Sequence, residues 1–237
     1  MRYLIKYTKE ANVKFISHLD LMRTIQKNIR RAELPMEYSK GFNPHMTMSI
    51  AQPLAVGVYS DGEYMDIVLV NEMDEKEIVD RLNAVSSSGI KFKEATKIPY
   101  VEGEKKVPQG MALIDAARYT AKVPYENTEK LENEVNELLN KCEWKTIKKS
   151  KKGEKEVDLK TMIREFKFWV KDDYLVINMV LNSGSREHLA PELVVKYIQE
   201  RTSNATMESF VDIKREEMYF LKGERLLPLY KALEFNR

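Results

Sequence analysis

Side chains suited to acid–base chemistry are few and widely spaced in this sequence. The three histidines are His18, His45 and His188, and Tyr38 is a phenol seven residues before His45. A histidine that deprotonates a ribose 2′-hydroxyl, with a tyrosine that protonates the leaving oxygen, would cleave RNA without a metal ion. His18 or His45 with Tyr38 is therefore the catalytic hypothesis, although no spacing in the sequence brings these groups together.

Composition and motifs exclude several other kinds of site. Cys142 is the only cysteine, which excludes a disulfide scaffold, a thiolate zinc site and a cysteine-held iron–sulfur cluster. No segment matches the phosphate-loop pattern GxxxxGK(S/T) or the dinucleotide pattern GxGxxG. Three scattered histidines without an acidic cluster predict no metal site. We therefore expect no cofactor.

Basic residues are concentrated in two segments, although the formal net charge is only +2. Residues 1–31 contain eight Lys or Arg against two acids, and residues 144–155 contain six Lys against one acid. Such local cationic surfaces favour an RNA backbone, because Lys and Arg neutralise phosphates and release condensed counterions. The alternative is that these two basic segments form ordinary solvated surfaces that bind no RNA. The candidate RNA-binding cations are Lys14, Arg23, Lys27, Arg30, Arg31, Lys148, Lys149, Lys151 and Lys152.

The segment YSKGFNPH, residues 38–45, is the most unusual local sequence. Its glycine permits positive φ and its Asn-Pro pair favours a turn, so we expect an ordered loop. Aromatic faces beside a cation can stack unpaired bases. The alternative is that Phe42 fills the core and His45 caps a strand. The candidate RNA contacts in this loop are Tyr38, Lys40, Phe42, Asn43 and His45.

A helix over about 18–33 positions the first group of cations. Ser17 followed by Asp20 is a capping-box pattern that opens it. Three- and four-residue spacing predicts a packed face, with the cations on the opposite side. The residues expected on the packed face are Leu19, Met22, Gln26, Ile29 and Ala32.

The remaining pattern predicts the order βαββαβ twice. Strands are expected at 1–8, 46–51, 63–70 and 90–98, with a second capped helix after Asp74, and the order recurs beyond residue 112. This is the order of the ferredoxin-like split βαβ motif. The sequence thus predicts an α+β fold of two tandem ferredoxin-like halves, antiparallel sheets with helices on one face.

The expected boundaries follow from composition. Residues 1–98 form the first domain, and 99–111, rich in Pro, Gly and charge, form a linker. Residues 112–237 form the second domain with a basic hairpin and a C-terminal tail. A single continuous α+β domain is the alternative, because linker composition alone does not separate the halves.

The segment KFISHLDLMRTIQKNIRRAELPMEYSKGFNPHMTMSIAQPLAVGVYSDGEYMDI resembles the amino-terminal signature of an uncharacterised bacterial family of radical-SAM-linked, or radical-SAM-associated, proteins. The similarity continues more weakly through KGEKEVDLKTMI and LNSGSREHLAPELVVKYI. Members are found beside, or fused to, a radical S-adenosylmethionine protein, and some lie near genes for ribosomal proteins and an endoribonuclease. The resemblance therefore implies a radical S-adenosylmethionine partner and an RNA substrate. That partner needs a CxxxCxxC cluster, which a chain with one cysteine lacks.

A second, more distant resemblance rests on architecture. The order of strand, basic helix, strand and loop rich in Pro and Leu is similar to that of the repeat-processing endoribonucleases of CRISPR systems, which are also tandem ferredoxin-like proteins. Because one fold serves many activities, this likeness does not carry the activity with it.

The sequence favours a noncatalytic RNA-binding accessory protein that positions a transfer or ribosomal RNA for a radical S-adenosylmethionine partner. A metal-independent endoribonuclease is one alternative. A module that docks a protein without contacting RNA is another, and an exposed apolar patch would be its sign. No apolar run approaches the ~18 residues that span a bilayer, so we expect a cytoplasmic protein without membrane contact.

Overall fold

The protein divides into two compact units in a computed structural model. Unit 1 consists of residues 1–115 and 215–237, and unit 2 consists of residues 116–214. The structure describes residues 1–100, 103, 107–150 and 153–236. Residues 101, 102 and 104–106 of the expected linker at 99–111 lie outside the described residues.

Both units combine antiparallel strands with helices, so the fold is mixed α+β, as the sequence predicts. The elements of unit 1 are β1 (Arg2–Lys9), α1 (His18–Arg31), β2 (Met48–Ile50), β3 (Val58–Val68), α2 (Glu75–Ala84), β4 (Phe92–Lys97), α3 (Gly110–Leu113) and, near the C-terminus, β10 (Asp212–Lys222) and β11 (Arg225–Pro228). The elements of unit 2 are β5 (Ala116–Pro124), α4 (Leu131–Asn140), β6 (Lys145–Ser150), β7 (Gly153–Asp158), β8 (Ile163–Lys171), β9 (Tyr174–Asn182) and α5 (Pro191–Gln199).

The sheet of unit 1 is built around β1 and β3. Strand β1 pairs antiparallel with β3 on one side and with β4 on the other. Strand β2 pairs antiparallel with β3, with Met48 opposite Ile67, and β10 also pairs with β3. Alternation along a strand sends one set of side chains to the helices. The resulting core contains Tyr3, Ile5, Tyr7, Met65 and Ile67.

Strand β3 begins earlier than the sequence predicts. The sequence predicts the start of this strand at residue 63, which places Gly62 in the preceding connection. The structure places Gly62 inside the strand, where an added Cβ would lie 2.7 Å from the carbonyl oxygen of Glu216. This glycine therefore allows close approach of β10 rather than a turn.

The C-terminal segment belongs to the first unit, whereas the sequence placed it in a second domain spanning 112–237. Residues 215–237, which include most of β10, cluster with residues 1–115, whereas residues 212–214 at the start of β10 are assigned to unit 2. The physical reason lies in β10, where Arg215 forms a buried ion pair with Glu63 and Glu217 contacts both Lys6 and Tyr64. Gly110 also joins unit 1, since its N–H donates to the buried Asp66.

Helix α1 begins where its sequence predicts. The Ser17 hydroxyl accepts a hydrogen bond from the Asp20 N–H at 3.2 Å, which caps the first turn. Ile16 packs against the core just before the cap, and Leu21 is buried one turn later, as in a hydrophobic staple.

The packed face of α1 is shifted around the helix from the predicted face, although Ile29 and Ala32 are buried as predicted. Leu19 is 62% exposed and Met22 only partly buried. Asn28 is fully buried, where its side-chain oxygen accepts a hydrogen bond from the Ser87 hydroxyl. The predicted face contains Gln26 rather than Asn28, because spacing alone does not show which amide has a buried partner. The residues that α1 buries are Leu21, Ile25, Asn28 and Ile29.

Ile29→Ala is expected to lower the free energy of unfolding by about 2–5 kcal/mol, because it opens a cavity in a fully packed site. Leu19→Ala on the same helix is the matched control, and its effect is expected within about 0.5 kcal/mol of zero, since Leu19 is largely exposed. Urea denaturation of both variants measures the difference. Equal midpoints for the two variants would contradict the observed packed face of α1.

Unit 2 has its sheet in the order β5–β9–β8, with all neighbours antiparallel. Helix α5 begins with Pro191, a residue suited to the first helical position, and α4 ends where Lys160 donates a hydrogen bond to the Leu139 carbonyl. Cys142 is spaced to continue the apolar face of α4, but it is exposed beyond the helix end. Trp144 is buried beyond the end of α4, where its indole N–H donates to the Leu138 carbonyl at 2.8 Å.

Within the described residues, we find no helix that is both long and apolar enough to cross a membrane.

Candidate functional site

The outer face of α1 is cationic, as the sequence predicts. Arg23, Lys27, Arg30 and Arg31 are all exposed. Across the described part of the chain, the side chains of Lys27, Arg30 and Arg31 make no hydrogen bond or ion pair. Arg23 contacts Asp20 at 3.2 Å, but the Arg23 side chain is 70% exposed. An exposed pair of this kind contributes little to stability, so Arg23 can exchange its partner for an anion.

Two interactions hold the carboxylate of Asp20 in place. The Ser17 hydroxyl donates to it at 2.7 Å, and this hydrogen bond, together with the charge of Arg23, lowers the pKa of Asp20. Asp20 lies in the first turn of α1, where a negative charge is favourable to the helix dipole. This carboxylate therefore stabilises the N-terminal end of α1, and Lys27, Arg30 and Arg31 have no acidic partner among the described residues.

An exposed apolar area lies where the chain enters α1. Phe15 is 63% exposed and Val56 is 60% exposed. The Gly57 N–H donates to the Lys14 carbonyl at 2.9 Å, which brings the segment of Val56 beside the segment of Phe15. The sequence patterns did not indicate that Phe15 is exposed. The exposure of Phe15 could have been inferred from the N-cap at Ser17. Ile16, the residue before the N-cap, packs against the core, so Phe15 is left outside.

Lys14 lies beside aromatic rings, close to this apolar area. Its Nζ is 5.6 Å from the ring centroid of Phe15 and 5.8 Å from that of Tyr59. A cation over an aromatic face is stabilised by the ring quadrupole. Lys14 was expected among the RNA contacts, and the structure places it about a helix length from Arg31, at the opposite end of α1.

The loop at residues 38–45 is closed at its base and open at its tip. The Ser39 N–H donates to the His45 carbonyl at 2.8 Å, and the His45 N–H donates to the Ser39 hydroxyl at 3.0 Å. Gly41 adopts φ 133°, a region that favours glycine. Phe42 is fully exposed, so the alternative in which it fills the core is wrong. Lys40, Asn43 and His45 are exposed as well.

The basic hairpin β6–β7 contributes less to a site than its sequence indicates. The Lys148 Nζ donates to the His188 carbonyl at 2.6 Å, so this cation is held against unit 2. Lys151 and Lys152 lie outside the described residues, as does the side chain of Lys149.

The histidines do not assemble with Tyr38. Tyr38 pairs with Met46 across the base of the loop, whereas His45 lies opposite Ser39. Neighbouring residues of such a ladder point to opposite faces, so Tyr38 and His45 do not face one substrate together. His18 lies in the first turn of α1, at the far end of a 14-residue helix from the segment leading to the loop.

A buried polar cluster in unit 1 was not predicted. Arg215 donates to both carboxylate oxygens of Glu63 at 2.6 Å and to the Gln52 carbonyl at 2.7 Å. Lys9 donates to the carbonyls of Lys14 and Val58, and burial lowers its pKa. These contacts join β1, β3 and β10, so the cluster stabilises the sheet that supports α1.

Tyr7 borders this cluster without a hydrogen bond of its own. Its hydroxyl is buried and has no partner among the described residues. Burial, with the nearby charge of Glu63, raises the pKa of Tyr7. Tyr7 therefore remains a neutral phenol in the core. No group of three or more metal-ligating side chains occurs within the described ranges of the chain.

The fold and the exposed groups define a mixed α+β protein with antiparallel strands and a cationic helix face. The chain belongs to the bacterial family described as "Uncharacterized protein conserved in bacteria (DUF2344)", whose model matches residues 2–191. A search of curated proteins finds no match.

A solved structure with a low level of similarity is that of an unknown protein from Galdieria sulphuraria. It is 10% identical, and the alignment covers 91% of this chain and 96% of that chain with a TM-score of 0.25. A likeness at this level supports no argument about fold or function.

Proposed function

We propose that this protein is a noncatalytic RNA-binding accessory protein that positions a transfer or ribosomal RNA for a radical S-adenosylmethionine partner enzyme. The observation that carries the proposal is the outer face of α1, where Lys27, Arg30 and Arg31 are exposed and make no ion pair among the described residues. Solvated cations on one rigid face are suited to phosphate groups, because each contact releases counterions.

The spacing of the cations supports contact with a nucleic-acid backbone. Arg23, Lys27 and Arg30 follow each other at four and three residues, so they lie along one stripe of the helix. At 1.5 Å rise per residue, the stripe is about 10 Å long, which corresponds to one or two phosphate steps of a single strand. The stripe can therefore bind consecutive phosphates.

The loop at residues 38–45 supplies the base contacts in this proposal. Phe42 presents both ring faces to solvent at the tip, and Lys40 lies two residues away. An unpaired base can stack on such a ring, and a nearby cation can bind its phosphate. Lys14 and the hairpin lysines Lys148, Lys149, Lys151 and Lys152 are proposed as secondary contacts.

Phe42→Ala is expected to weaken RNA binding by about 1–3 kcal/mol, since one base loses its stacking partner. The slope of log affinity against log salt is expected to stay the same, because no phosphate contact is lost. Phe42→Tyr keeps the ring and serves as the control. A change in the salt slope equal to that of a lost cation would contradict the stacking role.

The exposed apolar area at Phe15 and Val56 supports a protein partner as well. Leu19, 62% exposed on the first turn of α1, lies four residues after Phe15. Scattered apolar side chains are common on surfaces, but a group of them marks sites of protein contact. We assign this area to the radical S-adenosylmethionine partner, whose association with the chain rests on the sequence resemblance.

The proposal extends to the fold, in which each unit is built on a ferredoxin-like split βαβ motif. Unit 1 has the strand order β4–β1–β3–β2 with antiparallel neighbours and two helices, and unit 2 has the order β5–β9–β8 with α4 and α5. An experimental structure in which β2 leaves β3, or β8 leaves β9, would contradict this assignment.

Two experiments test the proposed function: measurement of RNA affinity in solution, and identification of the RNA that is bound in cells. Fluorescence anisotropy with labelled oligouridylate, with transfer RNA and with ribosomal RNA fragments measures affinity as salt is increased. Sequencing of RNA cross-linked to the tagged protein in its native cells identifies the substrate. A salt-steep affinity and enrichment of one RNA class support the proposal. Absence of RNA retention contradicts it, and RNA cleavage in EDTA that is lost in His18→Ala or His45→Ala would establish the endoribonuclease instead.

A further inference from the structure

One face of the sheet in unit 2 carries polar and aromatic side chains in regular rows. The register of β5, β9 and β8 places residues two apart on the same face. From one end to the other, the rows are Arg118–Val180–Glu165, Thr120–Asn178–Lys167, Lys122–Val176–Trp169 and Pro124–Tyr174–Lys171.

The helices of unit 2 pack on the opposite face. Phe166, which alternates with Glu165 and Lys167, makes an edge contact with Trp144 at 5.7 Å between ring centroids. Trp144 stacks in turn on Tyr197 of α5 at 5.1 Å. The apolar side chains of these strands therefore face α4 and α5, and the face with the rows is free of both helices.

Two aromatic rings on this face are half exposed. Trp169 is 46% exposed and Tyr174 is 45% exposed. Tyr174 lies in the row next to Trp169, on the neighbouring strand, so the two residues are diagonal neighbours at about 7–8 Å. Rings this close, on one rigid sheet, form a platform long enough for adjacent bases.

The rows around Trp169 carry exposed lysines, whereas the turn beside Tyr174 carries two exposed acids, Asp172 and Asp173. Lys122, Lys167 and Lys171 are exposed, and none of them makes an ion pair within the residues that the structure describes. The acid of these rows, Glu165, is bound to Arg118 at 2.7 Å in the row farthest from Tyr174. The rows around Trp169 thus have three solvated cations that suit phosphate groups, and Asp172 and Asp173 are confined to the turn at one end of these rows.

We propose that this sheet face, centred on Trp169 and Tyr174, is a second RNA-contacting surface that binds single-stranded RNA. Unpaired bases stack on the two rings, and the lysines contact the flanking phosphates. A duplex is disfavoured as the ligand, because its bases are already stacked and are not available to protein rings. This inference rests on the proposed RNA binding and specifies the RNA as unpaired.

The two tryptophans of the chain give this surface its own reporter. Trp144 is 1% exposed, whereas Trp169 is 46% exposed. Titration of the full-length protein with unlabelled oligouridylate of about a dozen nucleotides is expected to quench the Trp169 emission. An RNA duplex of equal length is expected to leave the emission unchanged. In Trp169→Phe the quenching disappears, while anisotropy shows that binding persists, since the ring is kept.

Affinity is the second measurement. Trp169→Ala is expected to weaken oligouridylate binding roughly tenfold. Met207→Ala, which removes another half-exposed apolar side chain of unit 2, is the control and is expected to bind like the wild type. Thermal melting confirms that both variants are folded, and the wild-type quenching tests the inference without any variant.

The outcomes separate this inference from the proposed function. Quenching by the single strand together with the loss in Trp169→Ala supports the sheet face. RNA binding that leaves tryptophan emission unchanged and is equal in Trp169→Ala overturns the sheet face but leaves the α1 surface intact. Absence of any anisotropy change with every RNA overturns the proposed function, and the inference with it.

Discussion

Reversal of two charges on α1, Arg23→Glu with Lys27→Glu, is expected to weaken RNA binding roughly one hundredfold. Each cation contributes about 1.5 kcal/mol through a charge-assisted contact, and two such contacts correspond to that factor. The slope of log affinity against log salt is expected to fall by about one to two, because single strands lose ~0.7 per phosphate contact. Base preference is expected to persist, since phosphate contacts carry no sequence information.

A matched control separates the α1 surface from a general effect of net charge. Lys76→Glu with Lys93→Glu changes the charge of unit 1 by the same amount at exposed positions outside α1. This control is expected to retain most of the affinity and to melt like the wild type. Equal losses in both double variants would show that only the overall charge matters. Unfolding of the α1 variant would show that Arg23 and Lys27 are structural.

Arg215→Leu is expected to lower the free energy of unfolding by about 3–5 kcal/mol, the largest stability effect predicted for this protein. The Arg215 and Glu63 side chains are 1% and 0% exposed, so removal of the guanidinium leaves a buried carboxylate without its partner. The Gln52 carbonyl also loses a donor. Urea denaturation measures the change.

A double-mutant cycle shows whether the loss comes from the pair. Arg215→Leu with Glu63→Leu removes both charges and is expected to recover much of the stability, because no uncompensated charge remains. Arg81→Leu breaks the exposed Arg81–Glu77 pair, also 2.6 Å long, and is expected to cost less than about 1 kcal/mol. A double variant as unstable as the single one would contradict the ionic origin of the loss.

The candidate site could be predicted in part from the sequence. The exposed side of α1 follows from spacing, and Arg23, Lys27, Arg30 and Arg31 lie where that spacing predicts. The exposure of Phe42 could not be decided, since an aromatic residue in a loop can equally fill a core. The sheet face with Trp169 was missed, because alternation along one strand does not reveal which side the helices cover.

Local signals determined where the helices α1 and α2 begin. Ser17 caps α1 and Asp74 caps α2 because each side chain reaches an N–H two or three residues away, so the required partners are neighbours in the sequence. Only the tertiary structure decided which side of α1 is buried and to which unit β10 belongs. Asn28 depends on Ser87, 59 residues away, and Arg215 on Glu63, 152 residues away. The free energy of a buried polar group depends on such a distant partner, and no local pattern of residues records that partner.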